Sequence, residues 1–211
     1  MVGLSCFGIT ARAVQEITQD ASRDWSETLT VHIKKGDLVA LEERLVQRRP
    51  GISIAPEALV TAANHGQPET VELLIKAGAD IEGETIIHYQ TALTTAATRG
   101  DLQMVKMLLE HGADPDHGGE VYNPEEGRYI WITALSAAVL ASDSESVEIL
   151  LAAGAVPDMA PGDGMTPLMR AAKLGDIKSI QLLFAAGADP DVQDQQGRTG
   201  EELLNSGRHK Q

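Results

Sequence analysis

The densest group of residues able to do chemistry is Asp114, Asp116, His117 and Glu120, three carboxylates and an imidazole within one short stretch. Oxygens at alternate positions are how a loop wraps a calcium ion, but such a loop needs a third side-chain oxygen and a closing glutamate at fixed spacing. Gly118 stands where that third oxygen is required. Asp114 and Asp116 therefore read as parts of a recurring G-A-D-P-D loop. The six histidines, at 32, 65, 88, 111, 117 and 209, lack the thiols or close third ligand of a zinc site. His32 and His65 read as structural, His111 and His117 as surface residues. The search for catalysis ends the same way: no nucleophile elbow, zinc-protease helix, phosphate-cradling loop or dinucleotide fingerprint occurs. Glu125-Glu126 and Glu201-Glu202 read as solvated turn and helix faces. The expectation is a protein that is not an enzyme, with no cofactor and no metal.

What remains is recognition chemistry. Of seven aromatic residues, Phe7, Trp25 and Phe184 fall in helical stripes or at their junctions, whereas Tyr89, Tyr122, Tyr129 and Trp131 fall in loops. Tyr and Trp give large contact area at little entropic cost and are enriched at binding hot spots. The same loops carry Glu82, Glu84, Glu120, Glu125, Glu126, Arg128, Asp163 and Met165. These residues are the candidate partner-binding surface.

The elements that must hold these loops are legible in Thr166 to Asp191, T-P-L-M-R-A-A-K-L-G-D-I-K-S-I-Q-L-L-F-A-A-G-A-D-P-D. Thr166 can cap a helix, and Pro167 suits its first position. Leu168, Ala171 and Ala172 make a narrow face until Gly175 ends the helix. Asp176 then caps a second helix, with Ile177, Ile180, Leu183 and Phe184 at helical spacing until Gly187 and Pro190 stop it. Copies open at Thr91 and Thr133, an earlier one reads A-L-V-T-A-A from Ala58, and a worn one starts at Glu27. From the Ala58 copy onward the closing glycines stand at 78, 112, 154 and 187, so the steps are 34, 42 and 33 residues. The long step contains Val121-Tyr122 and Tyr129 to Ile132 around N-P-E-E-G-R, a turn signal between β-prone runs. An enlarged β-hairpin is predicted over residues 117–132. A helical hairpin cannot bury its stripe alone, so the copies must stack.

The period, the T-P-L-x-x-A-A opening and the L-L-x-x-G-A-D-P-D close resemble the ankyrin repeat. The likeness covers roughly residues 27–205. Departures are Glu57 in place of the opening threonine, Ser142 in place of a turn glycine, and alanine for proline at two openings, which bear on local helix ends. The resemblance implies an all-α solenoid of stacked antiparallel helix pairs with loop or β-hairpin fingers. Residues 1–26 would be a capping helix, 27–205 an array of about five repeats with a C-terminal cap, and 206–211 a frayed tail. It further implies that a partner lies against the fingers and the concave palm of inner helices, which adds Arg99, Leu140 and Lys173 to the candidate contacts.

Composition bounds the rest. The chain of 211 residues is 43% hydrophobic and 3% aromatic, which fits helices packed through small aliphatic side chains. No apolar run reaches the ~20 residues that cross a bilayer, so no membrane association is expected. A leader-like stretch from Val2 to Ala13 lacks a basic start and reads as a lead-in to the cap. The lone cysteine, Cys6, cannot form an internal disulfide, which suits a cytoplasmic protein. The net charge of −14 falls entirely in residues 51–211, which carry 10 basic and 24 acidic side chains. Such a field repels nucleic acid and speeds encounter with a basic surface. The sequence therefore reads as a protein-binding module, monomeric when free, in the manner of an inhibitor or an immunity- or antitoxin-like neutraliser of a basic enzyme. Two alternatives stand beside that: an adaptor or secreted effector engaging a host protein, and a small enzyme whose site no motif marks.

Overall fold

Thr91, Thr133 and Thr166 each use the side-chain oxygen to accept the backbone N–H three residues on, from Thr94, Ser136 and Met169. That bond satisfies one of the donors a helix start leaves open, and a helix begins after each threonine. These inner helices are α5 (Ala92–Arg99), α7 (Ala134–Leu140) and α9 (Pro167–Leu174). The computed structural model describes residues 25–48, 50–123 and 127–208. The expected capping helix lies outside the described residues, apart from Trp25 and Ser26. Those two already belong to α1 (25–35), so this helix crosses the expected boundary at 26.

The order continues as α2 (Leu38–Val46), α3 (Glu57–Asn64), α4 (Pro68–Lys76), α6 (Leu102–Glu110), α8 (Ser144–Ala152), α10 (Ile177–Ala185) and α11 (Gly200–Arg208). α3 starts at Glu57 after Pro56 without a side-chain cap, the local effect of its missing threonine. Inner helices α3, α5, α7, α9 and α11 stack on one another through small faces such as Ala92, Ala96, Ala134 and Ala171. Outer helices α2, α4, α6, α8 and α10 form a second layer, anchored by Leu41, Leu74, Leu108, Leu150 and Leu183, all fully buried. In α1, Leu29 and Ile33 face the core, while Val31, half a turn away, is exposed. Trp25 is buried at that junction and donates its indole N–H to the Arg44 carbonyl at 3.3 Å. α11 runs three residues past the expected boundary at 205.

The turn between paired helices needs a left-handed residue. Gly100 and Gly175 supply it at φ +64° and +69°. In the third full repeat the same slot holds Ser142 at φ +55°, so the turn survives without its glycine. A side chain there costs about 1–2 kcal/mol relative to glycine, less the extra freedom glycine gains on unfolding. Ser142→Gly is expected to raise the unfolding free energy by about 0.5–1 kcal/mol. A urea midpoint at or below that of the parent chain would show that Ser142 is relieved by its surroundings.

Between α6 and α7, β1 (Gly119–Asn123) pairs antiparallel with β2 (Arg128–Ile132). The remaining fingers are loops.

Candidate functional site

The fingers are tied to one another by acids. Glu82 Oε1 accepts the Asp114 N–H at 2.8 Å, and Asp116 Oδ1 accepts the Val156 N–H at 2.9 Å. Asp158 accepts the Asp189 N–H with both oxygens, at 3.0 and 3.1 Å. Each finger thus hands one carboxylate to the backbone of the next, and charge-assisted bonds of this kind are stronger than neutral ones. His117 adds a second tie, its Nδ1 3.0 Å from Glu82 Oε2 and its Nε2 2.5 Å from Glu84 Oε1. In the last finger, burial pushes the Asp194 carboxyl up. Hydrogen bonds from the Arg198 side chain and from the Arg198 and Gln196 N–H groups outweigh that and hold it below the usual carboxylate range.

The enlarged hairpin rises from this framework. Its period of two turns Val121, Ile130 and Ile132 into the main apolar cluster, and Glu120, Tyr122, Tyr129 and Trp131 to the opposite face. On that outer face the His88 ring stacks on Tyr129 with centroids 3.9 Å apart, Tyr122 meets Tyr129 edge-on at 5.4 Å, and Tyr89 lies 6.0 Å from Trp131. The first finger runs along β1: the Glu120 N–H donates to the His88 carbonyl at 2.9 Å, and Gln90 Nε2 donates to the Glu120 carbonyl at 2.8 Å. Gly119 allows that approach, since a Cβ there would stand 2.8 Å from the Tyr89 carbonyl oxygen. Tyr89 sits at φ +49°, a strained backbone for a bulky residue.

Beside β1, a groove of about 230 Å³ is lined by Thr98, Val121, Tyr122, Asn123, Leu140 and Leu174. Small-molecule sites run to about 300–1,000 Å³, so this groove suits one or two side chains of a partner rather than a whole cofactor. Among the described residues, no three His, Cys, Asp or Glu side chains are disposed to hold a metal ion. No helix among them is long and apolar enough to cross a membrane.

Helix pairs in two layers, joined by projecting fingers and repeating along the chain, are matched by the family model for ankyrin repeats in three copies, over residues 29–118, 59–156 and 121–194. The chain belongs to the ankyrin-repeat family. No curated protein matches it. Ankyrin repeats generally mediate protein–protein interaction and are typically non-catalytic, so the ankyrin array is read as a binding module.

The expected contact residues of the ankyrin array divide by environment. Tyr89, Tyr122 and Tyr129 are exposed on and beside the hairpin's outer face, with Trp131 half-buried among them. Arg99, Arg128 and Lys173 are exposed, and Leu140 lines the groove. Glu82, Glu84 and Glu120 are half-buried; Glu82 and Glu84 tie fingers together, and Glu120 lies 3.5 Å from His88 Nδ1. Glu125 and Glu126 lie outside the described residues.

Two expectations are corrected. Asp163 is buried, 2.7 Å from Arg170 Nη2, and accepts the Met165 N–H at 3.0 Å. Met165 is buried against Met169 and Leu203. Both build the finger before α9 from inside. The histidines also change places. His117 is a strut and His65 is exposed, with its ring Nδ1 2.8 Å from the Thr61 carbonyl oxygen of its own helix. Sequence reasoning missed His88 and the neighbouring Ile86-Ile87. The visible signal was the isoleucine pair, two large apolar residues inside a loop and outside any helical stripe.

Proposed function

We propose that this protein is a non-catalytic recognition module that grips a second protein across the hairpin's aromatic face and the groove beside β1. Its target presents a basic surface, as a neutraliser of a basic enzyme requires. The observation that carries the reading is the apolar area left in water on the hairpin's outer face and on the finger beside it. Tyr122 is 52% exposed, and Ile86 and Ile87 are 80% and 76% exposed. Contiguous apolar patches beside a groove mark interaction sites, because solvation of so much carbon is unfavourable. The net charge of −14 supports the basic target, since opposite fields steer encounter.

Tyr122→Ala is expected to weaken partner binding by more than about tenfold, or 1.4 kcal/mol, while leaving thermal stability unchanged. Glu125→Lys with Glu126→Lys should slow association and lose its effect in high salt. The experiment is affinity capture with the parent chain and Tyr122→Ala in parallel, then calorimetry on the captured protein. A partner lost with Tyr122→Ala and inhibited in proportion to added array supports the proposal. A partner held equally by both chains overturns the site, and one whose activity is untouched overturns the neutraliser.

A further inference from the structure

The outer helices repeat one burial pattern, and the last of them departs from it. Val71 of α4, Val105 of α6 and Val147 of α8 hold the fourth position of their helices and are fully buried, with the outer helix of the next repeat packed beside each. Ile180 holds that position in α10 and is only half-buried. At the eighth position Ile75, Leu109 and Leu151 are half-buried, whereas Phe184 is 50% exposed. At the first position Pro68, Leu102 and Ser144 are half-buried, whereas Ile177 is 53% exposed. Positions one, four and eight share one side of a helix. α11 continues the inner layer by packing on α9, and among the described residues no outer helix follows α10. A groove is left, lined by Leu168, Ile180, Phe184, Pro190, Glu201 and Leu204.

We infer that this groove seats an amphipathic helix of another protein, lying where one more outer helix of the stack would lie and carrying basic residues beside its apolar stripe. The register supplies the shape: the uncovered side chains are those that a neighbouring outer helix covers in each earlier pair. The rim supplies the charge. Glu201 lines the groove, the exposed Asp189 and Asp191 flank Pro190, and α10 contributes a single base, Lys178. An apolar stripe bordered by lysines or arginines meets both features, as in other helix-in-groove complexes. None of these lining residues belongs to the hairpin or to the groove beside it, so the site is separate from the one proposed above.

The probe is a fluorescent Leu/Lys peptide of about 18 residues with leucines at i, i+3, i+4 and i+7, compared with a peptide of the same composition whose leucines are scrambled out of helical register. Anisotropy with the full chain should show the amphipathic peptide binding at least about tenfold tighter than the scrambled one. Phe184→Glu should abolish that difference, and Tyr122→Ala should leave it intact. Ile177→Glu, also on exposed surface, serves if Phe184→Glu melts early. Equal binding of the two peptides would reduce the site to charge alone and overturn the inference, as would a preference that survives both variants. Self-association seen by sedimentation and removed by Phe184→Glu would give the groove to a second copy of this chain, and that too would overturn it.

Discussion

Asp163→Ala is expected to lower the unfolding free energy by about 3–5 kcal/mol, measured by urea titration followed by circular dichroism. Both partners of the Asp163–Arg170 pair are buried, with side chains 8% and 2% exposed, so removing the carboxylate takes its close ion-pair partner from a guanidinium in a poorly solvated place. The Met165 N–H loses its acceptor in the same step. The size of the loss comes from weakening the compensation of a buried charge rather than from the worth of the pair, because desolvation offsets most of the attraction between buried ions. Replacing both, Asp163→Leu with Arg170→Met, should therefore recover most of the stability. A single-variant loss under about 1 kcal/mol would mean that water reaches Arg170.

Leu108→Ala should cost about 2–5 kcal/mol, from lost transfer energy and the cavity left behind. Leu108 is fully buried in α6, which packs between α4 and α8. Leu183 is equally buried in α10, but among the described residues that helix has an outer neighbour on one side only. Its surroundings can close over a cavity more easily, so Leu183→Ala should fall lower in the same range. Thermal unfolding indistinguishable from the parent chain for Leu108→Ala would break the assignment of the outer-helix core, and a larger loss at Leu183 would break the argument from the open side.

What the sequence made legible was chemistry contained within a few residues. Thr91, Thr133 and Thr166 start helices because a hydroxyl reaches an N–H three residues away, and that spacing is visible in any one repeat. The hairpin was legible for the same reason, a turn signal between two β-prone runs. What stayed hidden depends on residues that meet across repeats. Asp163 looked like one more loop acid because the buried face of α9 that carries Arg170 cannot be told from sequence to turn toward it. His117 looked like a surface residue because Glu82 and Glu84 belong to the preceding finger. His88 and Tyr129 stack although they lie in different fingers, and no periodicity brings them together.

The carboxylate ties between fingers bear on how such a chain changes over evolutionary time. The receiving group in each is a main-chain N–H, so the tie is indifferent to the receiving side chain, and Asp114, Val156 and Asp189 serve alike. The Asp116–Val156 bond brackets the segment that holds the hairpin together with α7 and α8. The strands between can be lengthened, shortened or exchanged as a cassette while both anchor points and the neighbouring repeats keep their places. Diversification of the gripping face is in this way uncoupled from inheritance of the stack.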